Sequence, residues 1–118
     1  GAFGALTASF FFTPPRAEIC CELGRLFMKR NRYPNAVFWY ELALSCKPSD
    51  QTGAFMNQDC YGYLPCIQLC VCYDALGDHA AAEAYNRRAG GYKDTKAYRH
   101  NLAYFAALAQ HQEAPPRI

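Results

Sequence analysis

Seven cysteines stand in a chain of 118 residues, and three of them, Cys66, Cys70 and Cys72, crowd one short stretch. Thiolates are good zinc ligands, and a structural zinc site takes four of them, or of histidines, in recognisable close pairs. Cys66 and Cys70 are spaced to share one helical face, yet the chain holds no CxxC pair and no HExxH. An odd cysteine count without a basic leader argues against a disulfide framework, so we read reduced thiols in a cytoplasmic protein. Cys60, in a polar stretch, is the thiol expected to be most exposed. His79, His100 and His111 have no acid or nucleophile at a spacing that suggests a partner. Gly90-Gly91 follows a helical pattern instead of bridging a strand to a helix, which makes it a helix stop and not a phosphate loop. The reactive residue types therefore nominate no catalytic group, no metal and no cofactor, and Cys20, Cys66 and Cys70 read as small apolar packing.

Twelve basic residues against ten acidic ones leave a net charge of +2. The basic residues are spread along the chain, so nothing calls for nucleic acid. The one run, Lys29–Arg32, suits a solvated helix end, where cations complement the helix dipole. The first dozen residues are apolar but too few to span a bilayer, so no membrane segment is expected. A chain of this length can bury roughly two thirds of its unfolded surface, enough for one compact domain.

Apolar spacing and punctuation predict helices over 2–12, 16–30, 34–46, 62–76, 79–89 and 95–109. No segment alternates for long enough to argue a strand. The pattern also repeats. Numbered from Ala17, the first copy puts Leu23 and Gly24 at positions 7 and 8, Phe27 at 11, Ala36 at 20, Tyr40 at 24, Ala43 at 27 and Pro48 at 32. A second copy sets Leu69, Tyr73, Gly77, Ala82 and Ala89 at positions 7, 11, 15, 20 and 27, with Cys70 at 8 and Asn86 at 24. Leu102 and Ala103 restart the large-then-small pair. Leu23 to Leu69 spans 46 residues and Leu69 to Leu102 spans 33, which places an insertion in Ser49–Gly62.

This order of large, small and aromatic positions resembles the tetratricopeptide repeat, a helix–turn–helix unit of roughly 34 residues. The resemblance implies an all-α fold of antiparallel helix pairs stacked in a right-handed superhelix. On that register, 1–14 is the second helix of a truncated repeat, 16–48 and 63–94 are full repeats, 49–62 is an inserted loop, 95–109 is a capping helix and 110–118 is a tail. Gly24 and Ala36 then sit where paired helices cross, so that Ala36→Leu should destabilise more than Ala80→Leu. Counting back one repeat puts Ala2 at position 20 and Leu6 at position 24. Phe10, Phe11 and Phe12 would present an apolar surface inviting self-association.

A narrower resemblance covers about Pro15–Phe105. The phrases PRAEICCELGRLF, NRYPNAVFWYELAL, LPCIQLCVCYDALGDHAAAEAYNRRAG and HNLAYF resemble the C-terminal repeat region of bacterial family 2 glycosyltransferases. That family's catalytic half is an α/β domain with an acidic metal-binding motif. This chain has no Asp-x-Asp, so no active-site residue can be carried over. The resemblance implies a non-catalytic appendage whose partners are the parent enzyme's catalytic domain and acceptor, or another protein or peptide.

Repeats of this kind bind along the face made by their first helices. Here that face carries Glu18, Cys21, Glu22, Arg25 and Lys29, then Leu64, Ile67, Gln68 and Val71, then Ala97, His100, Asn101 and Tyr104. Glu22, Arg25, Gln68, Asn101 and Tyr104 form the candidate binding cluster. The alternative is a general peptide-binding adaptor of the chaperone type. Such adaptors clamp a peptide carboxylate with a lysine and an asparagine on the first groove helix, whereas Cys21 and Arg25 occupy those places here, so a carboxylate clamp is not expected.

Overall fold

The computed structural model describes residues 16–46 and 58–113, with side chains as far as 110. The expected helix at 2–12, the Phe10–Phe12 surface, most of the insertion and the tail beyond Glu113 lie outside the described residues. Within them the chain is all-α, with no strand. The helices are α1 (Ala17–Lys29), α2 (Tyr33–Ser45), α3 (Tyr63–Ala75), α4 (His79–Tyr92) and α5 (Lys96–Glu113), and a single 3-10 turn, Gln58–Tyr61, precedes α3. None of these helices is long and apolar enough to cross a membrane.

Local chemistry sets the helix limits. Glu18 in the first turn and Lys29 in the last complement the α1 dipole. Pro34 and Pro65 lie in the first turns of α2 and α3, where a missing N–H removes no helical hydrogen bond. The Asp78 carboxylate caps α4 by accepting from the Ala81 N–H at 3.1 Å, and Thr95 Oγ1 accepts from the Tyr98 N–H at 3.2 Å at the head of α5.

The two hairpins end their first helices identically. After α1, the N–H of Arg32 donates to the Phe27 carbonyl at 2.9 Å and that of Asn31 to the Met28 carbonyl at 2.9 Å, with Asn31 at φ 58°. After α3, the N–H of Asp78 donates to the Tyr73 carbonyl at 2.9 Å and that of Gly77 to the Asp74 carbonyl at 3.0 Å, with Gly77 at φ 87°. Both are Schellman turns, which need a left-handed residue just past the helix. Asn31 and Gly77 are 46 residues apart, the offset that separates Leu23 from Leu69.

Burial follows the same offset. Cys20, Leu23, Ala36 and Ala43 are fully covered, and so are Cys66, Leu69, Ala82 and Ala89. The crossing positions differ in a compensated way. Gly24 has no side chain, and the buried Tyr40 ring fills its place, so closely that a Cβ on Gly24 would lie 2.7 Å from Tyr40 Cε2. In the second hairpin the corresponding positions hold a larger residue, Cys70, and a smaller one, Asn86, both buried. Cys66 clusters with Ala89 and Cys70 with Ala82, the reversed order of an antiparallel pair. Contacts run from α1 to α2, α2 to α3, α3 to α4 and α4 to α5, which makes the chain a repeat-like row of helices.

Four expectations change. The helix stop expected at Gly90-Gly91 does not occur, since α4 runs on to Tyr92. Gly90 instead serves close approach, because a Cβ there would collide with the Tyr98 ring. Cys60 is 5% exposed, not the open thiol expected, because the 3-10 turn folds its end of the insertion onto α1 and α3. Ile67 is 7% exposed and belongs to the core. Leu102 and Ala103 are exposed, with no described helix crossing them.

Candidate functional site

The face made by α1, α3 and α5 carries two hollows, and the nominated residues divide between them. A hollow of about 320 Å³ between α1, the 3-10 turn and α3 is lined by Glu18, Cys21, Glu22, Arg25, Leu64 and Gln68, with Tyr40 and Cys60 at its floor. A second, of about 200 Å³, lies between α3 and α5 and is lined by Cys70, Val71, Asp74, His100, Asn101 and Tyr104, with Phe105 beneath. Glu22, Arg25 and Gln68 are thus brought together, and Asn101 and Tyr104 form a separate group.

Helical spacing explains the first group. Glu22 and Arg25 lie three apart on exposed α1 surface, and the guanidinium grips the carboxylate in a two-point pair, with Nε 3.3 Å from Oε2. The hydrogen bond from Arg25 holds the Glu22 carboxyl below the usual carboxylate range. The floor is apolar: burial pushes the Cys21 thiol and the Tyr40 hydroxyl well above their ordinary values. An ion pair over an apolar floor, with the Gln68 amide on the facing helix, suits a polypeptide that lays side chains into the hollow and hydrogen-bonds at its rim.

Asn101 and Tyr104 are committed differently. The Asn101 amide donates to Asn86 Oδ1 at 3.1 Å and approaches Cys70 Sγ at 3.8 Å, while the Asn86 amide donates to the Tyr98 carbonyl at 3.2 Å. Asn86 is completely buried, so Asn101 serves as its hydrogen-bond partner while also lining the second hollow. Tyr104 donates to both oxygens of Asp74, at 2.9 and 3.0 Å, and that hydrogen bond raises its hydroxyl above the ordinary range.

Sequence reading missed the Asp74 hub. The Asp74 carboxylate also meets His79 Nδ1 at 2.7 Å, so His79 does have an acidic partner, five residues upstream across the Schellman turn. The turn type, legible from Gly77, was the available signal. Beside the pair, burial pushes the Cys70 thiol up to about 11, which keeps it protonated near neutrality. Another missed cluster has Glu41 Oε2 accepting from Tyr73 at 2.8 Å and from Tyr85 at 2.9 Å, the two rings stacked with centroids 5.6 Å apart.

All seven cysteines lie among the described residues as thiols. Desolvation pushes Cys20 and Cys72 up to about 12. Among the described residues, no three His, Cys, Asp or Glu side chains converge as a metal ion would require. The chain matches no family model, no curated protein and no solved structure. Fold and site define its class: an all-α chain of repeated helical hairpins with two hollows along one face.

Proposed function

We propose that this chain is a non-catalytic scaffold of the tetratricopeptide kind, its helix pairs continuing as a right-handed superhelix, and that it holds a protein or peptide partner on the face of α1, α3 and α5. The observation that carries the reading is the doubled hairpin, alike in burial and turn geometry at one offset, which leaves the first helices lining a common face. Such repeats use that face for binding far more often than for chemistry. The partner-holding role belongs to the Glu22, Arg25 and Gln68 hollow. Its place in a larger protein is the appendage of a family 2 glycosyltransferase, a proposal that rests on the sequence phrases alone.

The test places a photo-cross-linking residue at Gln68 and, as control, at Arg87, which is exposed on α4 outside both hollows. In cells, Gln68 is expected to capture a discrete partner that Arg87 does not, and the capture is lost when Glu22 and Arg25 are both alanine. Equal capture from the two positions would overturn the reading. So would turnover of UDP-glucose by the purified chain, which is expected to be nil.

A further inference from the structure

Four of the seven cysteines stand in two thiol pairs around the insertion. Cys20 and Cys21 are neighbours on α1, and successive helical residues point about 100° apart, so each reaches a different partner. The Cys20 thiol is hydrogen-bonded to that of Cys46, which caps the end of α2, and the Cys21 thiol to that of Cys60 in the 3-10 turn. Cys21 Sγ also lies 3.6 Å from the Cys60 carbonyl oxygen. All four side chains pack in one cluster with α1 and α2. Cys46 and Cys60 bracket the insertion, so both of its ends rest on the same turn of α1. Packing alone would be served by alanine, as it is at Ala36 and Ala43. Thiol against thiol, twice, at the two ends of one segment, has a chemistry that alanine lacks.

Access differs among the four. Cys20 is fully covered and Cys46 half-buried, while Cys21 and Cys60 line the first hollow, where a small reagent can meet their sulfurs. The three remaining cysteines all lie on α3. Cys66 and Cys70 are four residues apart, which holds their Cβ atoms about 5–6 Å from each other, farther than a disulfide allows. Cys72, two residues beyond Cys70, does not face it.

We propose that Cys20 with Cys46 and Cys21 with Cys60 are reversible disulfide pairs, oxidised by exchange with a small-molecule disulfide of the glutathione class, and that the two bonds fasten both ends of the insertion to α1. In each pair one thiolate attacks the small disulfide, which forms a mixed disulfide and releases one small thiolate. The second protein thiol gives its proton to water and attacks the protein sulfur of that mixed disulfide, forming the internal S–S bond and releasing the second small thiolate. Two protein thiols are oxidised, and one small disulfide is reduced to two thiols that take up the two protons. Burial keeps these thiols protonated, so exchange is slow. It also denies the reduced pairs the stabilised thiolate that makes some disulfides easy to reduce. The bonds need no partner, and they stand or fall separately from partner binding.

The test equilibrates the full chain, without air, in glutathione buffers from fully reduced to fully oxidised, quenches it with acid, alkylates it and counts free thiols by intact mass. Seven are expected in the reduced buffer and three in the oxidised one. Two double variants check the pairing. Cys20→Ala with Cys46→Ala spares one pair and should still lose two of its five thiols, whereas Cys20→Ala with Cys60→Ala breaks both and should keep all five. In concentrated urea the unaltered chain should need a more oxidising buffer to lose the same thiols, because the fold no longer holds the partners together. Bonds mapped in the unaltered chain by fragmentation of linked peptides decide the pairing even where a double variant loses its helical circular dichroism. A loss of fewer than four thiols, stable glutathione adducts in place of internal bonds, a bond to Cys66, Cys70 or Cys72, or oxidation as ready in urea as in buffer would each overturn the proposal.

Discussion

Two glycines separate close packing from helix propensity. An alanine at Gly24 must push against the Tyr40 ring, which is fully buried and has nowhere to go. Gly24→Ala is expected to cost about 1–3 kcal/mol by overpacking. Gly91 sits inside α4, where an added methyl would meet nothing within 4 Å, so Gly91→Ala should stabilise by about 1 kcal/mol through helix propensity. Denaturant melts of the two variants should therefore move in opposite directions. Asn86 supplies a second residue-scale test. Asn101→Ala leaves the buried Asn86 oxygen short of its donor, at about 1–3 kcal/mol, and adding Asn86→Ala should cost much less than the sum of the single changes. The thiols predict a pH dependence. Their pKa values are raised on folding, so the unfolded chain loses these protons first: stability is full below about pH 9, the ordinary thiol value, and declines as pH climbs toward 12. Melting temperatures at pH 8 and pH 10 should show the fall, and Cys72→Ala should make it shallower. Gly24 with Tyr40 was legible in the sequence because a missing side chain and a large ring recur at known spacing. The pairing of Asn86 with Asn101 was not, since it depends on how α5 is laid against α4.

The turns are the elements on which the repeat is most evident. Gly77, at φ 87°, occupies the place that Asn31 fills at φ 58°, and the two Schellman turns are otherwise alike in their hydrogen bonds. A left-handed residue with a Cβ carries about 1–2 kcal/mol of strain, less for asparagine. Gly77→Ala should thus destabilise by about that amount, while Asn31→Gly is tolerated or slightly stabilising in thermal melts. Ala36 and Ala80 make the matching test of register, one fully buried at the α1 and α2 crossing and one exposed at the head of α4. Ala36→Leu should lower the melting temperature while Ala80→Leu leaves it within a degree or two. Helix limits were readable to within a few residues wherever proline, glycine or an aspartate cap marks an end. The exception is the C-terminus of α4, where the glycine pair marks an approach to Tyr98 and not a stop. Glycine's two uses, turning and yielding space, look the same in a sequence.

At the scale of the molecule, the sequence repeat foretold the row of hairpins and the face on which the hollows lie, but it treated the insertion as a gap. Its end at Gln58–Tyr61 is instead held at three points: the Cys21 thiol approaches the Cys60 carbonyl at 3.6 Å, the Tyr61 hydroxyl donates to Glu18 at 3.0 Å, and Lys93 meets Asp59 at 2.8 Å. The burial of Cys60 was illegible for that reason, since no local pattern announces that a polar loop will return to a distant helix. These attachments join the first hairpin to the end of the second. Rows of repeats whose units touch only their neighbours can open one unit at a time, and hydrogen exchange records such partial openings as amides of unequal protection. A fastener between the hairpins makes them exchange as one cooperative block, while α5, gripped chiefly by α4, opens alone at lower free energy. Replacing Tyr61 with phenylalanine and Asp59 with asparagine should then split the block into two exchange classes without altering either hairpin's own turn.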